Sequence, residues 1–236
     1  MTIEVPTLDR RRFLSLVGGG ALAGGSAVAL LAACSSSSSS SAGQSASRGV
    51  GEPVASEVTS VVMVGDSITA GSDAELRFAF ASVGVTDITI DAQSGRRIEV
   101  GRDDTPPIAG ISATRRLIAA GADPDLWIVA LGTNDVGSFA DPQDAAQLVD
   151  SLLSLLPPQA PVAWIDVYRH DSLEQTDMFN LVLRDRLGSR RNGTVLSWFA
   201  RVTEDDADLL TSDKVHPNAD GRRAFAEVAI TAIATD

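Results

Sequence analysis

Apolar runs rich in β-branched residues alternate with amphipathic segments from about Glu57 to the end of the chain. Most of the runs lack polar alternation, which is typical of strands buried on both faces. Strands of that kind form parallel sheets, in which helices cross over between neighbouring strands. The predicted strands are Val58–Val64, Asp87–Ala92, Leu126–Leu131, Val162–Tyr168 and Thr194–Phe199.

The segments between the strands predict helices. Asp141 followed by Pro142 is typical of a helix start, with a capping side chain and a proline in the first turn. We therefore expect residues 57–236 to form a flavodoxin-like three-layer α/β/α sandwich around a central five-stranded parallel sheet. The predicted helices are Ala74–Val83, Ile108–Ala120, Pro142–Leu156, Leu173–Leu187 and Asn218–Ala234.

Polar residues follow every predicted strand. In sheets of this kind the functional crevice lies outside the carboxyl ends of the strands, so these residues are the candidates for chemistry. They are, in strand order, Gly65-Asp66-Ser67, Gln93–Arg97, Gly132–Asp135, Tyr168–Asp171 and, after a short acidic segment, Ser212–Asn218.

Ser67 is a candidate nucleophile, because a serine at a strand-to-helix turn can point its Oγ into the crevice and offer its own N–H to an oxyanion. A serine hydroxyl needs a base, and the chain has only two histidines, His170 and His216. Asp213 lies three residues before His216. This spacing lets the carboxylate fold back onto one ring nitrogen and leaves the other nitrogen for Ser67.

Four ordered blocks resemble those of the SGNH hydrolase superfamily, the GDSL esterases and lipases, and the resemblance extends from about Val58 to the end. It implies that Ser67 is the nucleophile and first oxyanion donor. It also implies that His216 is the general base and then the general acid, and that Asp213 orients it. The blocks are Gly65-Asp66-Ser67-Ile68-Thr69, Gly95, Gly132-Thr133-Asn134-Asp135 and Asp213-Lys214-Val215-His216-Pro217.

The resemblance also implies two further oxyanion donors. One is the backbone N–H of Gly95, where a side chain would crowd the substrate, and the other is the side-chain amide of Asn134. No metal and no other cofactor is implied, and no Cys/His cluster in the sequence indicates one.

Several neighbouring residues have less specific interpretations. Asp66 is expected to be a structural hydrogen-bonding group rather than a catalyst. Arg96 and Arg97 are open between surface charge and contact with a polar or anionic substrate at the crevice rim. His170 is interpreted as a solvent-exposed loop residue. Seen alone, Gly132 could simply end a strand and Asn134 could belong to an ordinary turn.

The substrate class follows from size and from a second resemblance. The predicted domain has about 180 residues, no lid-like insertion, and the chain is only 5% aromatic, which favours a small acyl group over a long chain. The stretch Asp91–Arg97, and Val167-Tyr168-Arg169 with Asn180, are similar to SGNH domains associated with membrane acyltransferases that O-acetylate peptidoglycan and other surface glycans. We therefore expect a serine esterase for short acyl esters, acetyl above all, with esters on surface glycans as a candidate substrate. An O-acyltransferase and a non-catalytic, tethered glycan-binding module are the alternatives.

The first 33 residues are interpreted as an export signal. Arg10-Arg11-Arg12 precede a Gly/Ala/Leu/Val run, which resembles a twin-arginine signal and ends in a lipobox-like Leu31-Ala32-Ala33-Cys34. Cys34, the only cysteine, is the predicted lipidation site, and residues 34–56 are a predicted Ser-rich linker. The alternative is an uncleaved transmembrane anchor, but the five glycines of the apolar run make a poor spanning helix.

The charge balance limits the partners. With 31 acidic and 19 basic residues, the net charge is −12, which argues against nucleic acid and against adsorption on an anionic membrane surface. Membrane contact is therefore expected only through a lipid on Cys34. We expect an exported monomer that is anchored to the cell membrane, faces the envelope exterior and acts on a small-molecule or glycan ester.

Overall fold

The computed structural model describes residues 51–101, 105–204 and 208–234, which contain a sheet of five parallel strands. The strand order β2-β1-β3-β4-β5 confirms the predicted flavodoxin-like arrangement. The predicted export signal, Cys34 and the linker up to residue 50 lie outside the described residues. The strands are β1 (Ser60–Gly65), β2 (Asp87–Ala92), β3 (Leu126–Ala130), β4 (Val162–Ile165) and β5 (Gly193–Leu196).

Strand β1 shows how the sheet divides the core. Val61 and Met63 pack on one side of the sheet, whereas Val62 and Val64 pack on the other, because successive strand residues point to opposite faces. All four are buried, as expected for a central strand covered on both faces. Strand β2 differs because it forms an edge of the sheet, and its first residue, Asp87, is exposed.

Helices cover both faces of the sheet. Helices α2, α6 and α7 contribute to the core on the side of Met63, and α3, α4 and α5 to the core on the side of Val64. As predicted, Asp141 caps α4 by accepting hydrogen bonds from two backbone N–H groups of its first turn. The helices are α1 (Ser67–Gly71), α2 (Asp73–Ser82), α3 (Gly110–Ala119), α4 (Pro142–Leu153), α5 (Leu173–Gly188), α6 (Trp198–Thr203) and α7 (Ala219–Ile230), with a 3₁₀ turn at His170–Ser172.

The last two strands are shorter than predicted. Strand β4 ends at Ile165 and β5 at Leu196, each three residues before its predicted end. Asp166 follows β4 directly and accepts hydrogen bonds from Ser197 Oγ (3.0 Å) and from the N–H of Phe199 (2.7 Å). The Ser197 side chain also caps α6. These polar contacts turn the chain into a helix where the apolar run alone predicts a strand.

The segment before β1 is attached to the domain. Val54 is buried, and its N–H donates to the carbonyl of Ala232 (2.9 Å) just after α7. Ala55 forms an isolated parallel bridge with Ile233. Val54 and Ala55 belong to the predicted linker, and they nevertheless contact the domain that is predicted to start at residue 57. Within the described ranges, every helix is too short or too polar to cross a membrane.

Candidate active site

Ser67 lies where β1 passes into α1, at the carboxyl edge of the sheet. The carboxylate of Asp66 caps α1 by accepting a hydrogen bond from the N–H of Ile68 (2.9 Å). Asp66 is 1% exposed, so this cap is buried beneath the turn, while Ser67 itself is partly exposed. The local sequence thus ends a buried strand and presents a hydroxyl at its edge.

The structure brings Ser67, His216 and Asp213 together in one hydrogen-bonded chain. His216 Nε2 lies 2.9 Å from Ser67 Oγ, although the two residues are 149 positions apart in the sequence. His216 Nδ1 lies 2.7 Å from Asp213 Oδ2. Because Asp213 is held at Nδ1, the tautomer with a proton on Nδ1 leaves Nε2 free to accept the Ser67 proton.

The Asp213 carboxylate is stabilised by hydrogen bonds rather than by burial. Its Oδ1 accepts from the N–H groups of Val215 (2.9 Å) and His216 (3.0 Å) and from Thr211 Oγ1 (2.8 Å). The hydrogen bond from the His216 ring, together with these donors, holds the pKa of Asp213 well below its usual value. The side chains of Asp213 and His216 are 51% and 46% exposed, so this charge is also solvated.

A short loop before α7 places these two residues. The N–H of Thr211 donates to the carbonyl of His216 (2.8 Å), and Leu210 forms an antiparallel bridge with Pro217. Lys214, between the two functional residues, takes a left-handed conformation with φ of 58°. Asn218 then caps α7 by accepting from its first turn. The loop is therefore closed on itself by its own backbone.

Gly95 has a left-handed φ of 74°, a conformation that a residue with a side chain adopts at a cost. A Cβ built at this position would meet no atom of the chain within 4 Å. The turn conformation therefore favours a glycine here, in addition to the predicted reason, which is that a side chain would crowd the substrate. Within the described part of the chain, the N–H groups of Gly95 and Ser67 have no acceptor, so both are available to a ligand.

The Asn134 amide is held from two sides. Its Nδ2 donates to the carbonyl of Arg96 (3.0 Å) and lies 3.4 Å from Asp66 Oδ2. Gly132, the first residue of the block that contains Asn134, has φ of 125°, and a Cβ there would lie 2.4 Å from the ring of Phe179. The glycine is needed for this close packing, which sets the path of the loop towards Asn134.

Two buried carboxyl groups lie beside these donors. Burial raises the pKa of Asp66 to about 6, against the opposing hydrogen bonds from Ile68 N–H and the Thr133 side chain. Burial likewise raises the pKa of Asp135 to about 6, although it accepts from the N–H of Ile98 and faces Arg97. Asp66 therefore has the structural hydrogen-bonding contacts that we expected, in an environment that disfavours its ionised form.

Arg96 is neither surface charge nor a residue at the crevice rim, so both alternatives considered for it are wrong. Its side chain is 0% exposed. The guanidinium donates to the carbonyls of Ile108, Gly65 and Asp91 and to the Asp91 carboxylate. A chain that buries a guanidinium must satisfy its donors internally, and the turn after β2 does so.

Arg97 and His170 remain at the periphery. Arg97 Nε lies 3.5 Å from Asp135 Oδ1, and its side chain is 29% exposed. His170 lies in the 3₁₀ turn, is exposed, and its Nδ1 is 3.3 Å from Tyr168 Oη. The structure therefore does not bring His170 to the Ser67–His216 pair.

Sequence reasoning missed the supporting contacts of Arg96 and Asp135. Arg96 directly follows Gly95, and Asp135 directly follows Asn134. Adjacency to a predicted donor was therefore the one available signal. Among the described residues, no three His, Cys, Asp or Glu side chains are grouped so that they could hold a metal ion.

Comparison with known proteins adds the family. The sequence profile of the GDSL-like lipase/acylhydrolase family matches residues 63–224, more than half of the chain. A search of curated proteins gives no significant match.

Several solved structures share the fold. The catalytic domain of peptidoglycan O-acetyltransferase A from Streptococcus pneumoniae has a TM-score of 0.58 and 16% identity, over 74% of this chain and 92% of that domain. A carbohydrate acetylesterase from Sinorhizobium meliloti has a TM-score of 0.58 and 18% identity, over 73% of this chain and 96% of that protein. A lipolytic G-D-S-L protein from Veillonella parvula has a TM-score of 0.57 and 20% identity, over 72% of this chain and 96% of that protein.

At these identities the structural likeness establishes the fold, and the family rests on the sequence match. By that match, the chain belongs to the GDSL-like lipase/acylhydrolase family and is a serine hydrolase that acts on ester bonds.

Proposed function

We propose that this enzyme hydrolyses short-chain acyl esters, acetyl esters above all, through an acyl intermediate on Ser67. The observation that carries the proposal is the hydrogen-bonded chain from Ser67 Oγ through His216 to Asp213, with distances of 2.9 and 2.7 Å. The N–H groups of Ser67 and Gly95, which have no acceptor among the described residues, supply the second requirement, which is a place for the negative charge that forms during acyl transfer.

The proposed reaction has two halves. His216 Nε2 takes the Ser67 proton as Oγ attacks the ester carbonyl, and the oxyanion accepts hydrogen bonds from Ser67 N–H, Gly95 N–H and the Asn134 amide. The intermediate collapses to acyl-Ser67, and His216 returns the proton to the departing alcohol. A water then attacks the acyl group by the same steps, releasing the acid and restoring Ser67. Asp213 keeps the His216 ring oriented and stabilises it when it is protonated.

The openness of the site supports a small acyl group on a bulky alcohol. His216 and Asp213 are about half exposed, so a large alcohol such as a sugar chain has room beside them. Two apolar grooves of about 500 Å³ lie elsewhere, between α4 and α5 and between α2 and α7. Neither groove is lined by Ser67 or His216, so neither offers a channel for a long acyl chain at the nucleophile.

Transfer to a sugar hydroxyl is the second candidate, since the same acyl-Ser67 can react with either acceptor. The shared fold with a peptidoglycan O-acetyltransferase domain and with a carbohydrate acetylesterase is compatible with both outcomes on a surface glycan. The exposed position of His216 favours access of such an acceptor.

The test combines labelling and turnover. We expect a fluorophosphonate probe to label the wild type and p-nitrophenyl acetate to be hydrolysed, with both signals lost in Ser67→Ala. Ser189→Ala is the matched control, because Ser189 is an exposed serine at the end of α5. A folded wild type that is not labelled would favour a non-catalytic glycan-binding module. Turnover that rises steadily from acetyl to decanoyl esters would contradict the short-chain assignment.

A second assay separates the two acceptors. Acetyl ester consumption is followed by mass spectrometry with and without a peptidoglycan fragment. Free acetate as the main product in both cases supports the hydrolase. Acetylated glycan as the main product in the presence of the fragment would make the enzyme a transferase.

We also propose that the mature enzyme is an exported monomer that a lipid on Cys34 holds at the outer face of the cell membrane. The support is the order of features in residues 1–34, since three arginines precede an apolar run that ends at this single cysteine. Cys34→Ala is expected to move the protein from the membrane fraction to the soluble fraction. Retention of the variant in the membrane fraction would contradict a lipid anchor at this residue.

A further inference from the structure

The guanidinium of Arg96 is buried where the turns after β1 and β2 meet. Its Nη1 donates to the carbonyl of Gly65 (3.2 Å), the residue just before Asp66-Ser67. The same Nη1 donates to the carbonyl of Asp91 (2.5 Å), and Nη2 to its carboxylate (2.6 Å). Nε donates to the carbonyl of Ile108 (2.9 Å). One side chain thus joins β1, β2 and the segment before α3.

A buried guanidinium is a costly way to join three segments. Removing a charge from water carries a penalty that its contacts must offset, and an apolar side chain of similar size is often as stable. Among the described residues, Arg96 has a single carboxylate partner, and its other acceptors are backbone carbonyls. The planar fork of an arginine is, however, well suited to fixing several acceptors in one geometry. The arrangement therefore favours a role in positioning over a role in stability alone.

The backbone of Arg96 connects this fork to the proposed oxyanion donors. Its N–H donates to the carbonyl of Gln93 (3.2 Å), which closes the turn that contains Gly95. Its carbonyl accepts from Asn134 Nδ2 (3.0 Å). Because a carbonyl can only accept, this contact selects the amide orientation in which the NH₂ group of Asn134 faces the site. Asn134 Nδ2 also lies 3.4 Å from Asp66 Oδ2, a longer contact that the second N–H gives up when it donates to an oxyanion.

We propose that Arg96 is a positioning residue of the oxyanion hole. Its side chain fixes the Gly95 turn relative to the end of β1, and its carbonyl fixes the Asn134 amide. The Gly95 N–H and the Asn134 Nδ2 are thereby held at a set distance from Ser67 Oγ. This inference rests on the proposed function, because it assigns a role within the reaction at Ser67.

The test compares Arg96→Met and Arg96→Lys with Arg77→Met. Arg77 is the matched control, because it also donates to a carbonyl of β2, that of Ile88, and pairs with an aspartate, but its side chain is 46% exposed. Turnover of p-nitrophenyl acetate is divided by the number of sites that a fluorophosphonate labels, so that misfolded chains do not count. Affinity for a phenylboronic acid, which mimics the tetrahedral intermediate, is measured in parallel.

We expect Arg96→Met to lower kcat per labelled site by about 100-fold, the effect of losing one oxyanion donor, with KM changed less than about threefold. Arg96→Lys recovers part of the loss, because an ammonium reaches some of the same carbonyls. The boronic acid binds Arg96→Met more weakly by a similar factor, and Arg77→Met stays within about twofold of the wild type in all readouts. A kcat per labelled site within about threefold of the wild type in Arg96→Met would overturn the inference.

Asp91→Asn covers the case in which Arg96→Met does not fold. It removes the carboxylate that pairs with Arg96 and keeps the carbonyl contacts, and the Asp91 side chain is 28% exposed. We expect kcat per labelled site to fall by about 10-fold, and an unchanged kcat would overturn the inference. A wild type without Ser67-dependent turnover is a different failure, which would reject the proposed function together with the positioning role.

Discussion

The two halves of the proposed site are built in contrasting ways. The acid–base half, Asp213 and His216, lies on one short loop, is about half exposed, and uses backbone donors from its own neighbours. The oxyanion half, the N–H groups of Ser67 and Gly95 and the Asn134 amide, is assembled from the turns after β1, β2 and β3. Its supports, Asp66, Arg96 and Asp135, are at most 1% exposed.

The contrast separates two ways of controlling charge. In the acid–base half, hydrogen bonds lower the pKa of a solvated carboxylate, which stays ionised at neutral pH. In the oxyanion half, burial raises the pKa of Asp66 and of Asp135 to about 6. A carboxylate that must orient a histidine benefits from solvent and hydrogen-bond donors, which keep it ionised. Donors that must stay rigid in a water-poor site are better held by buried supporting residues.

The largest effect is expected in the acid–base half. Asp213→Asn keeps the shape but removes the charge that orients and stabilises the protonated His216 ring, so kcat is expected to fall by about 10³- to 10⁴-fold with a modest change in KM. Steady-state kinetics on p-nitrophenyl acetate measure this, with Asp220→Asn on the exposed surface of α7 as control. Near-normal turnover in Asp213→Asn would remove Asp213 from the proposed relay.

The oxyanion half is expected to give the next largest effect. Asn134→Ala removes one donor to the developing oxyanion, which is expected to lower kcat by about 10²- to 10³-fold. Asn192→Ala is a suitable control, because Asn192 is a half-buried asparagine away from the site whose Nδ2 donates to the backbone carbonyl of Gln159. If Asn134→Ala raises KM and leaves kcat unchanged, Asn134 binds the ground state and its assignment to the oxyanion is wrong.

The same contrast explains what the sequence could predict. The Asp213–His216 relation depends on three-residue spacing within one loop, so local pattern and family resemblance both point to it. The alternation of apolar runs likewise predicts the sheet, and its order is confirmed. These features depend on short-range spacing or on repeated apolar periodicity, both of which a sequence displays directly.

Arg96 shows why the rest could not be predicted. Its acceptors Gly65, Asp91 and Ile108 lie 31, 5 and 12 residues away. Three of its side-chain contacts are to backbone carbonyls, which every residue type has and which a sequence therefore does not reveal. An arginine after a glycine in a loop is usually exposed, so the local sequence suggested the surface. The early end of β5 has the same origin, because the contact of Asp166 with the N–H of Phe199 is non-local.

A third prediction uses the opposite pKa directions. Burial raises the pKa of Asp66 from 3.8 to about 6, so the folded protein binds this proton more tightly than the unfolded chain does. Stability from this group is therefore fully present below pH 3.8 and is lost as the pH rises through about 6. The Asp66→Asn side chain does not titrate. Between about pH 4 and pH 7, the free energy of unfolding of this variant is therefore expected to rise by up to about 3 kcal/mol relative to that of the wild type.

Urea unfolding at several pH values measures this difference. Asp125→Asn serves as the control, because hydrogen bonds from Thr59 and Ser60 lower the pKa of the Asp125 carboxylate, so that it is ionised in both folded and unfolded states across most of this range. The difference in free energy of unfolding between this control variant and the wild type should therefore stay nearly constant over the pH range. If the free energies of unfolding of Asp66→Asn and of the wild type change with pH in parallel, the buried carboxyl does not titrate as the structure indicates. The contrast between the two halves of the site would then be wrong.

The smallest effect is expected at Lys214, the residue of the acid–base loop with a left-handed backbone conformation. Lys214 has a φ of 58°, which costs a residue with a side chain about 1 kcal/mol, whereas glycine adopts it freely. Glycine also loses more entropy on folding, so Lys214→Gly is expected to change the free energy of unfolding by less than about 1 kcal/mol. Because Asp213 Oδ1 accepts from the N–H groups of Val215 and His216, the loop keeps its shape, and kcat is expected to stay within about twofold. Urea unfolding and steady-state kinetics check both numbers. A loss of kcat above about 10-fold would mean that the loop depends on Lys214 for its rigidity, and that this half is less self-contained than its local hydrogen bonds imply.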